Sequence, residues 1–436
     1  MAGPSWNTEL HIPKPLEPQT TRKASFLGNL GPGLITGAAD VDPGGISTHS
    51  QAGAVFGLNM LWTIVATFPL MAAIQSISAR IGRVTGQGLA SNIKQTFPPV
   101  VLNVLVGLLF FTNSLNIAAD IAAMGQASAL VLGFGEHGFA LMFGVLSLLL
   151  QVLMPYHRYV RVLKWLTLSL FSYVAVVMTV QVPWLEVAAR TVWPHLEWNR
   201  DTLIMVVAVF GTTISPYMFF WQSSQEVEDL EAAPLDHDLR SHPEEAPAQL
   251  RRIGLDTFVG MAFSNLISMA IILAAAVALH EQGITKIETA AQAAMALRPV
   301  AGEGAFLLFS LGIIGTGLLA VPVLAGSAAY AIAEARGWPE GLERKANEAR
   351  GFYGVIAAAM ILGVALGFSP IDPIKALYWS AVVNGVISVP IMAAMMVVAT
   401  SRRRMGDFVA TPGQRVFGWA ATGIMAIAVT AMFLVM

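Results

Sequence analysis

The 436 residues contain no cysteine, and only 12% of them are Asp, Glu, Lys or Arg. The first absence excludes disulfides and thiolate metal ligands, and it removes any cysteine-based reading of redox compartment. The second excludes an ordinary soluble domain, in which about a quarter of residues are charged. The net charge of -2 identifies no partner, and nucleic acid is not expected. The chain is rich in apolar residues instead: 55% are hydrophobic and the mean hydropathy is +0.64. A helix crosses a bilayer with about 20 mostly apolar residues, and stretches of that kind recur along the chain. The lipid bilayer is the expected surrounding.

Eleven crossings are expected, near 27–55, 60–79, 101–131, 138–155, 162–183, 202–224, 255–279, 303–333, 350–368, 373–399 and 414–436. Residues 1–26 are polar and proline-containing without an apolar core, so they predict a short cytoplasmic tail and not a secretory signal. Basic residues divide unevenly between the two faces. Arg190, Arg200, Lys286, Arg298 and Lys375 fall on one, and the other 20 of the 25 fall on the opposite face. That asymmetry predicts a cytoplasmic N-terminus and, with an odd number of crossings, an extracytoplasmic C-terminus. A prokaryotic inner membrane is the expected location. The mixed-charge, proline-containing stretch 226–252 predicts a solvated cytoplasmic loop.

Two crossings carry breaks. "AADVDPGGIST" (38–48) sets Asp40 and Asp42 in an apolar setting and follows them with Pro43-Gly44-Gly45. The sixth segment reads "MVVAVFGTTISPYMFFWQSSQ", with Pro216 near its middle. A mid-helix proline removes a hydrogen bond and clashes with the preceding turn. In lipid, the freed backbone groups survive only beside protein or a wet cavity. Segments 1 and 6 are equivalent if the first ten crossings form two repeats of five, here 27–183 and 202–399, with 414–436 as an additional helix. Interrupted segments at matching places in two halves point to a transporter's substrate site. Carbonyls freed at the half-helix ends, together with the Asp42 charge, make an oxygen-rich negative site for a cation. An unpaired central aspartate costs roughly 2.5 to 3.5 kcal/mol on insertion scales, which argues that Asp42 has a purpose.

At these residues the chain resembles the Nramp family of divalent-metal transporters. "GPGLITGAADVDPGGISTHSQAGAVFG" is similar to that family's first helix, with its GPG, DPGN and QAGA signatures. "ARIGRVTGQGLA" (79–90) resembles the close of its second helix, and "NIAADIAAMG" (116–125) the third-helix ATDLAEVIG pattern. "SPYMFFWQS" (215–223) aligns without gaps to the sixth-helix MPHNLYLHS. The resemblance implies an all-α integral membrane fold, an inverted five-helix repeat of the LeuT-like kind with broken helices 1 and 6. It implies metal-binding positions at Asp42, Ala39, Gly45, Ser215, Thr212 and Tyr217. Asp40 and Asn384 are added as further candidates, and Asp120 as a gating residue or proton route. No resident cofactor and no enzymatic activity are expected, the cation being the substrate. A single copy holds a complete pathway, so a monomer suffices.

The departures set the expected selectivity. Gly45 stands where the family has asparagine, and Ser215 where it has a methionine thioether. A thioether favours soft transition metals, and a hydroxyl does not. The chain therefore looks like the Nramp-related magnesium transporters. Mg²⁺ keeps several waters and takes one or two carboxylates, which suits a widened pocket. The helix-6 histidine positions are Tyr217 and Gln222, and a helix-3 acidic position is Ala123. A relay of groups titrating near neutrality is thus missing, and transport without proton coupling is expected. The alternative is a proton-coupled Mn²⁺ or Fe²⁺ importer, with Met218 or backbone groups replacing the lost ligand. An organic-substrate carrier would want donors for a carboxylate, and an intramembrane aspartyl protease would need two carboxylates sharing a proton. Neither fits the residues at the breaks.

Overall fold

The computed structural model describes residues 32–154, 166–232, 238–287, 289–368, 370 and 372–435. The tail 1–26, the start of the fifth expected crossing and His237 lie outside them. The described residues are helical throughout, and no strand occurs among them. In chain order the principal helices are α1 (Pro32–Asp40), α2 (Pro43–Phe56), α3 (Leu61–Thr85), α4 (Leu89–Lys94), α5 (Pro99–Leu132) and α6 (Glu136–Leu153). Then come α7 (Phe171–Thr179), α8 (Trp184–Val192), α9 (Arg200–Thr213), α10 (Pro216–Ala232) and α11 (Ala246–Ala278). The last four are α12 (Ala305–Arg336), α13 (Arg350–Gly367), α14 (Pro373–Thr400) and α15 (Pro412–Val435).

Among the described residues nine helical stretches are long and apolar enough to cross a membrane. The number is ten if α7 and α8, bent by 111° against each other, form one span. The long helices carry large apolar side chains outward, among them Phe111, Leu149, Leu266, Leu307 and Ile427. Such a surface is stable against lipid and not against water, which makes this an integral membrane protein.

Burial is graded across the bundle. The α9–α10 window that could cross is buried throughout, while the windows of α6, α13 and α15 are about one-third buried. The pair at the second break is therefore the centre of the bundle, and the late helices stand at its rim. α5 packs on α12, α13, α14 and α6, and α11 packs on α1, α2 and α3. Apolar side chains gain nothing by leaving lipid for one another, so close backbone approach must hold such helices together. A Cβ on Gly211 of α9 would lie 2.1 Å from the Ala381 carbonyl oxygen of α14. One on Gly82 of α3 would lie 2.2 Å from the Ser223 carbonyl oxygen of α10.

The stretch 226–252, expected as a solvated loop, buries few of its described residues but is helical at both ends. α10 runs on to Ala232, and α11 begins at Ala246. One pair of its charges is drawn inward: Arg252 donates to Glu226 at 2.6 Å, and the Glu226 side chain is fully buried. A buried carboxylate is tolerable when paired in this way. Asp256 sits buried well inside α11. The expected loop after residue 183 also contains a helix, α8.

Between α12 and α13, Glu340 has one carboxylate oxygen buried without a hydrogen-bond partner. Burial, reinforced by the charges of Glu334, Glu231 and Glu228, pushes its carboxyl up to about 9, and Arg344 opposes this. A carboxyl raised in the folded state holds its proton where the unfolded chain has lost it, so it costs stability as pH rises from about 4.5 towards 9. Glu340→Gln is expected to raise the melting temperature in detergent at pH 8.5 and to leave it unchanged at pH 4.5. Gly211→Ala should destabilise by about 1–3 kcal/mol, the usual range for overpacking. Gly423→Ala, where a Cβ meets nothing within 4 Å, is the control and should melt like the parent.

Candidate metal site

The first interruption is built by three residues. α1 stops at Asp40, Val41 and Asp42 are not helical, and α2 restarts at Pro43. Proline biases its predecessor away from helical angles, and Asp42 is extended, with φ -75° and ψ 174°. It serves as the N-cap of α2: its Oδ1 accepts a hydrogen bond from the Gly45 N–H at 2.6 Å. Its other oxygen, Oδ2, faces the Tyr217 hydroxyl, which donates across 3.5 Å.

The second interruption repeats the plan. α9 ends at Thr213, Ile214 and Ser215 intervene, and α10 opens at Pro216. The Ser215 hydroxyl lies 2.9 Å from the Gly211 and Thr212 carbonyls, to which it can donate. Thr213 donates to the Val209 carbonyl at 2.7 Å. The hydroxyl protons at this break therefore serve their own helix, leaving oxygen lone pairs as the remaining capacity.

The two breaks meet at Gly45. A Cβ there would lie 3.4 Å from the Asp40 carbonyl oxygen, 3.4 Å from Asp42 Oδ1 and 3.5 Å from Thr212 Oγ1. The missing side chain thus marks a cradle of three oxygens drawn from α1, the joint and α9. Ala39, buried in the last turn of α1, belongs to the four carbonyls that a helix end leaves without intrahelical partners. Asp40 accepts a hydrogen bond from Ser264 of α11, and its Oδ1 is buried without a partner. Asp120 of α5 is 1% exposed, with Oδ2 unpartnered, and is near enough to Asp42 for their charges to interact.

The expected residues therefore separate. Asp42, Gly45, Thr212, Tyr217 and the Asp40 main chain come together. Ser215 lies at the second break with its proton engaged. Both polar atoms of Asn384 pair with Asn116, at 3.0 and 3.3 Å, which ties α14 to α5. Gln222, at a family histidine position, accepts from Thr36 at 2.6 Å and joins α10 to α1. Ser264 and Asn116 were not candidates, since one small polar residue in an apolar helix carries no positional signal. Among the described residues no group of three or more His, Cys, Asp or Glu is placed to hold a metal ion. An ion at this point would rely on one carboxylate, main-chain and hydroxyl oxygens, and water. On one side of the breaks lies a cavity of about 550 Å³, lined by Gln51, Phe56, Asp201, Met205, Lys286 and Tyr378 among others.

Comparison with known proteins gives the family. The divalent metal cation transporter MntH of Acidiphilium cryptum is 27% identical over 401 residues, covering 86% of this chain and 83% of that protein. MntH of Yersinia enterocolitica is 30% identical over 308 residues, covering 69% and 71%. The crystal structure of the Eremococcus coleocola manganese transporter with a bound bis-isothiourea compound superposes with a TM-score of 0.69 at 16% identity, covering 93% and 87%. MhsT in complex with L-phenylalanine superposes at 0.59 and 12% identity, covering 94% and 98%. At such identities the structural likeness shows the fold. The two MntH proteins and the Eremococcus coleocola protein carry the names of transporters and not of enzymes. The natural resistance-associated macrophage protein-like profile matches residues 33–435, and the chain belongs to the Nramp family.

Proposed function

We propose that this protein carries divalent cations across a prokaryotic inner membrane by alternating access, that Mg²⁺ is its principal ion with Mn²⁺ as a second, and that no proton is coupled. The observation that supports the reading is the cradle at Gly45, whose three atoms are all oxygen. Hard oxygens suit Mg²⁺, and an ion that dehydrates reluctantly can keep waters where an asparagine and a methionine would otherwise intrude. Relatives named as divalent metal cation transporters supply the class of cargo. In this reading Asp42, Thr212, Tyr217 and the Ala39 and Asp40 carbonyls face the ion or its waters. Gly45 and Ser215 leave room for them, and Asp120 is a neighbouring charge that gates. Asn384 acts through the helix pairing that it makes.

The α1–α2 and α9–α10 pairs each form one interrupted crossing. Counting the segment that ends in α7 as the fifth crossing and separating α2 from α3 brings the crossings to eleven, in two inverted repeats of five (27–183 and 202–399) with α15 added. The basic ends near Arg83, Lys94 and Arg402–Arg404 face the cytoplasm, which puts the N-terminus inside and the C-terminus outside. One copy is the working unit. Against proton coupling stands the chemistry of two helices: Asp120 is the one ionisable residue of α5, and α13 has no Asp, Glu, His, Lys or Arg after Arg350. A proton leaving Asp120 along their interface meets no relay. The membrane potential alone supplies about 4.6 kcal/mol per divalent ion at 100 mV.

Uptake into proteoliposomes, with an internal dye following pH, tests the reading. Magnesium uptake that competes with manganese, disappears in Asp42→Ala and leaves internal pH unchanged is expected. Manganese uptake with acidification and no response to magnesium would instead establish the proton-coupled importer. Tyr217→Phe should raise the KM for Mg²⁺ no more than about fivefold, since a 3.5 Å contact at the limit of hydrogen bonding holds less than about 1 kcal/mol. The double variant Gly45→Asn, Ser215→Met should raise the Mn²⁺-to-Mg²⁺ uptake ratio, chiefly by lowering magnesium uptake.

A further inference from the structure

The segment Gly86-Gln87-Gly88-Leu89-Ala90-Ser91, between α3 and the first turns of α4, has no part in the ion site. It wraps a carboxylate. Glu334, near the end of α12, is 5% exposed. Its Oε2 accepts from the Ser91 N–H at 2.9 Å, and its Oε1 accepts from the Ser224 hydroxyl of α10 at 2.8 Å. The fit leaves no slack, because a Cβ on Gly88 would lie 1.7 Å from Glu334 Oε1. Beside it, the Leu89 N–H donates to Ser223 Oγ at 3.0 Å. One turn further along α10, Glu228 accepts from Tyr330 of α12 and, at 2.6 Å, from the Leu342 N–H.

These contacts sit at one end of the bundle. Ser224 lies nine residues beyond Ser215, about 13 Å along α10 at 1.5 Å per residue. The 550 Å³ cavity, which includes Asp201 and Met205 of α9, lies beyond the opposite side of that break. The molecule is therefore hollow at the Asp201 end and pinned at the Ser224 end. At the pinned end a single carboxylate holds three elements, α4, α10 and α12. A purely apolar contact could slide, whereas a buried carboxylate that loses its donors costs several times a hydrogen bond. That makes the closed arrangement discrete.

We propose that Glu334 is a positioning residue for gating: it closes the ion path at the Ser224 end, and its bonds to Ser91 and Ser224 break when that end opens. The inference rests on the reading that the α9–α10 break lines the path, and it does not depend on which ion is carried. The cysteine-free chain offers a direct test, by maleimide labelling of single-cysteine reporters in nanodiscs, where both faces are accessible and no ion is needed. Thr36→Cys reports the pinned side, since Thr36 is buried against Gln222 two residues before Ser224. Met205→Cys reports the hollow side.

In the Glu334→Ala background, labelling of Thr36→Cys should rise at least tenfold while that of Met205→Cys falls at least threefold. Glu334→Gln, which keeps an acceptor oxygen, should stay within threefold of the parent for both. A general loosening would raise both reporters together, and that result, or no change in either with the protein monodisperse, would overturn the proposal. Should Glu334→Ala fail to fold, Gly88→Ala displaces the carboxylate without removing it and must give the same opposed shifts. Opposed shifts in a protein that takes up no Mg²⁺ would leave the gate standing and remove the magnesium reading.

Discussion

The structure turns on how a helix can stop and restart inside a bundle where no water is at hand. Breaking α1 from α2 frees backbone groups that lipid cannot satisfy. Asp42 accepts one of them, the Gly45 N–H, at 2.6 Å. A cap of this kind holds about 0.5–2 kcal/mol, and here it also fixes where the carboxylate points. Oδ1 lies over α2, and Oδ2 turns towards Tyr217. The residue that makes the break tolerable is thus the one that brings charge to the site. Asparagine caps nearly as well as aspartate, so the capping and the charge are separable in principle, although one side chain supplies both.

The packing around the breaks keeps them in register. Glycines let α9 meet α14 and α3 meet α10 at backbone distance, so the interrupted pair at the centre is held by main chain more than by side chains. Rigid helices at van der Waals contact cannot deform gradually. Movement of one half of a broken pair must exchange one packed arrangement for another, which is how small displacements become discrete states. Buried polar pairs such as Asn116–Asn384 and Thr36–Gln222 set the register in which those faces meet.

The sequence showed the breaks but not the direction of the side chains near them. Proline and aspartate are conspicuous in an apolar run because each is costly there, so Asp42, Pro43 and Pro216 could be picked out without coordinates. Thr212 and Gly45 could be placed beside them by proximity in the chain. Ser215 could not be resolved in the same way: its hydroxyl has the choice of ion or helix carbonyl, and local hydrogen bonding of serine to the preceding turn competes on nearly equal terms. Asn384 likewise found a partner that only tertiary packing could supply. The stretch 226–252 is mixed in a way that its composition does not reveal. Five of its charged residues are exposed, while Glu226 is buried with one oxygen paired to Arg252, and composition cannot distinguish paired charges from wet ones.

The chemistry of the cradle constrains what can pass. Asp40 main chain, Asp42 Oδ1 and Thr212 Oγ1 surround the space left by the absent side chain of Gly45, and Oδ1 already accepts the helix cap. A fully dehydrated Mg²⁺ demands six oxygens in octahedral array, and in the reading proposed above waters share that shell with the protein. An ion that keeps water avoids most of its desolvation cost. Selectivity then comes from the size of the space and the hardness of its walls, not from a ligand that prefers one metal. Such a site discriminates weakly among hard divalent ions. In the function proposed above, it suits a cation that is abundant enough to compete by concentration and is drawn through by its double charge.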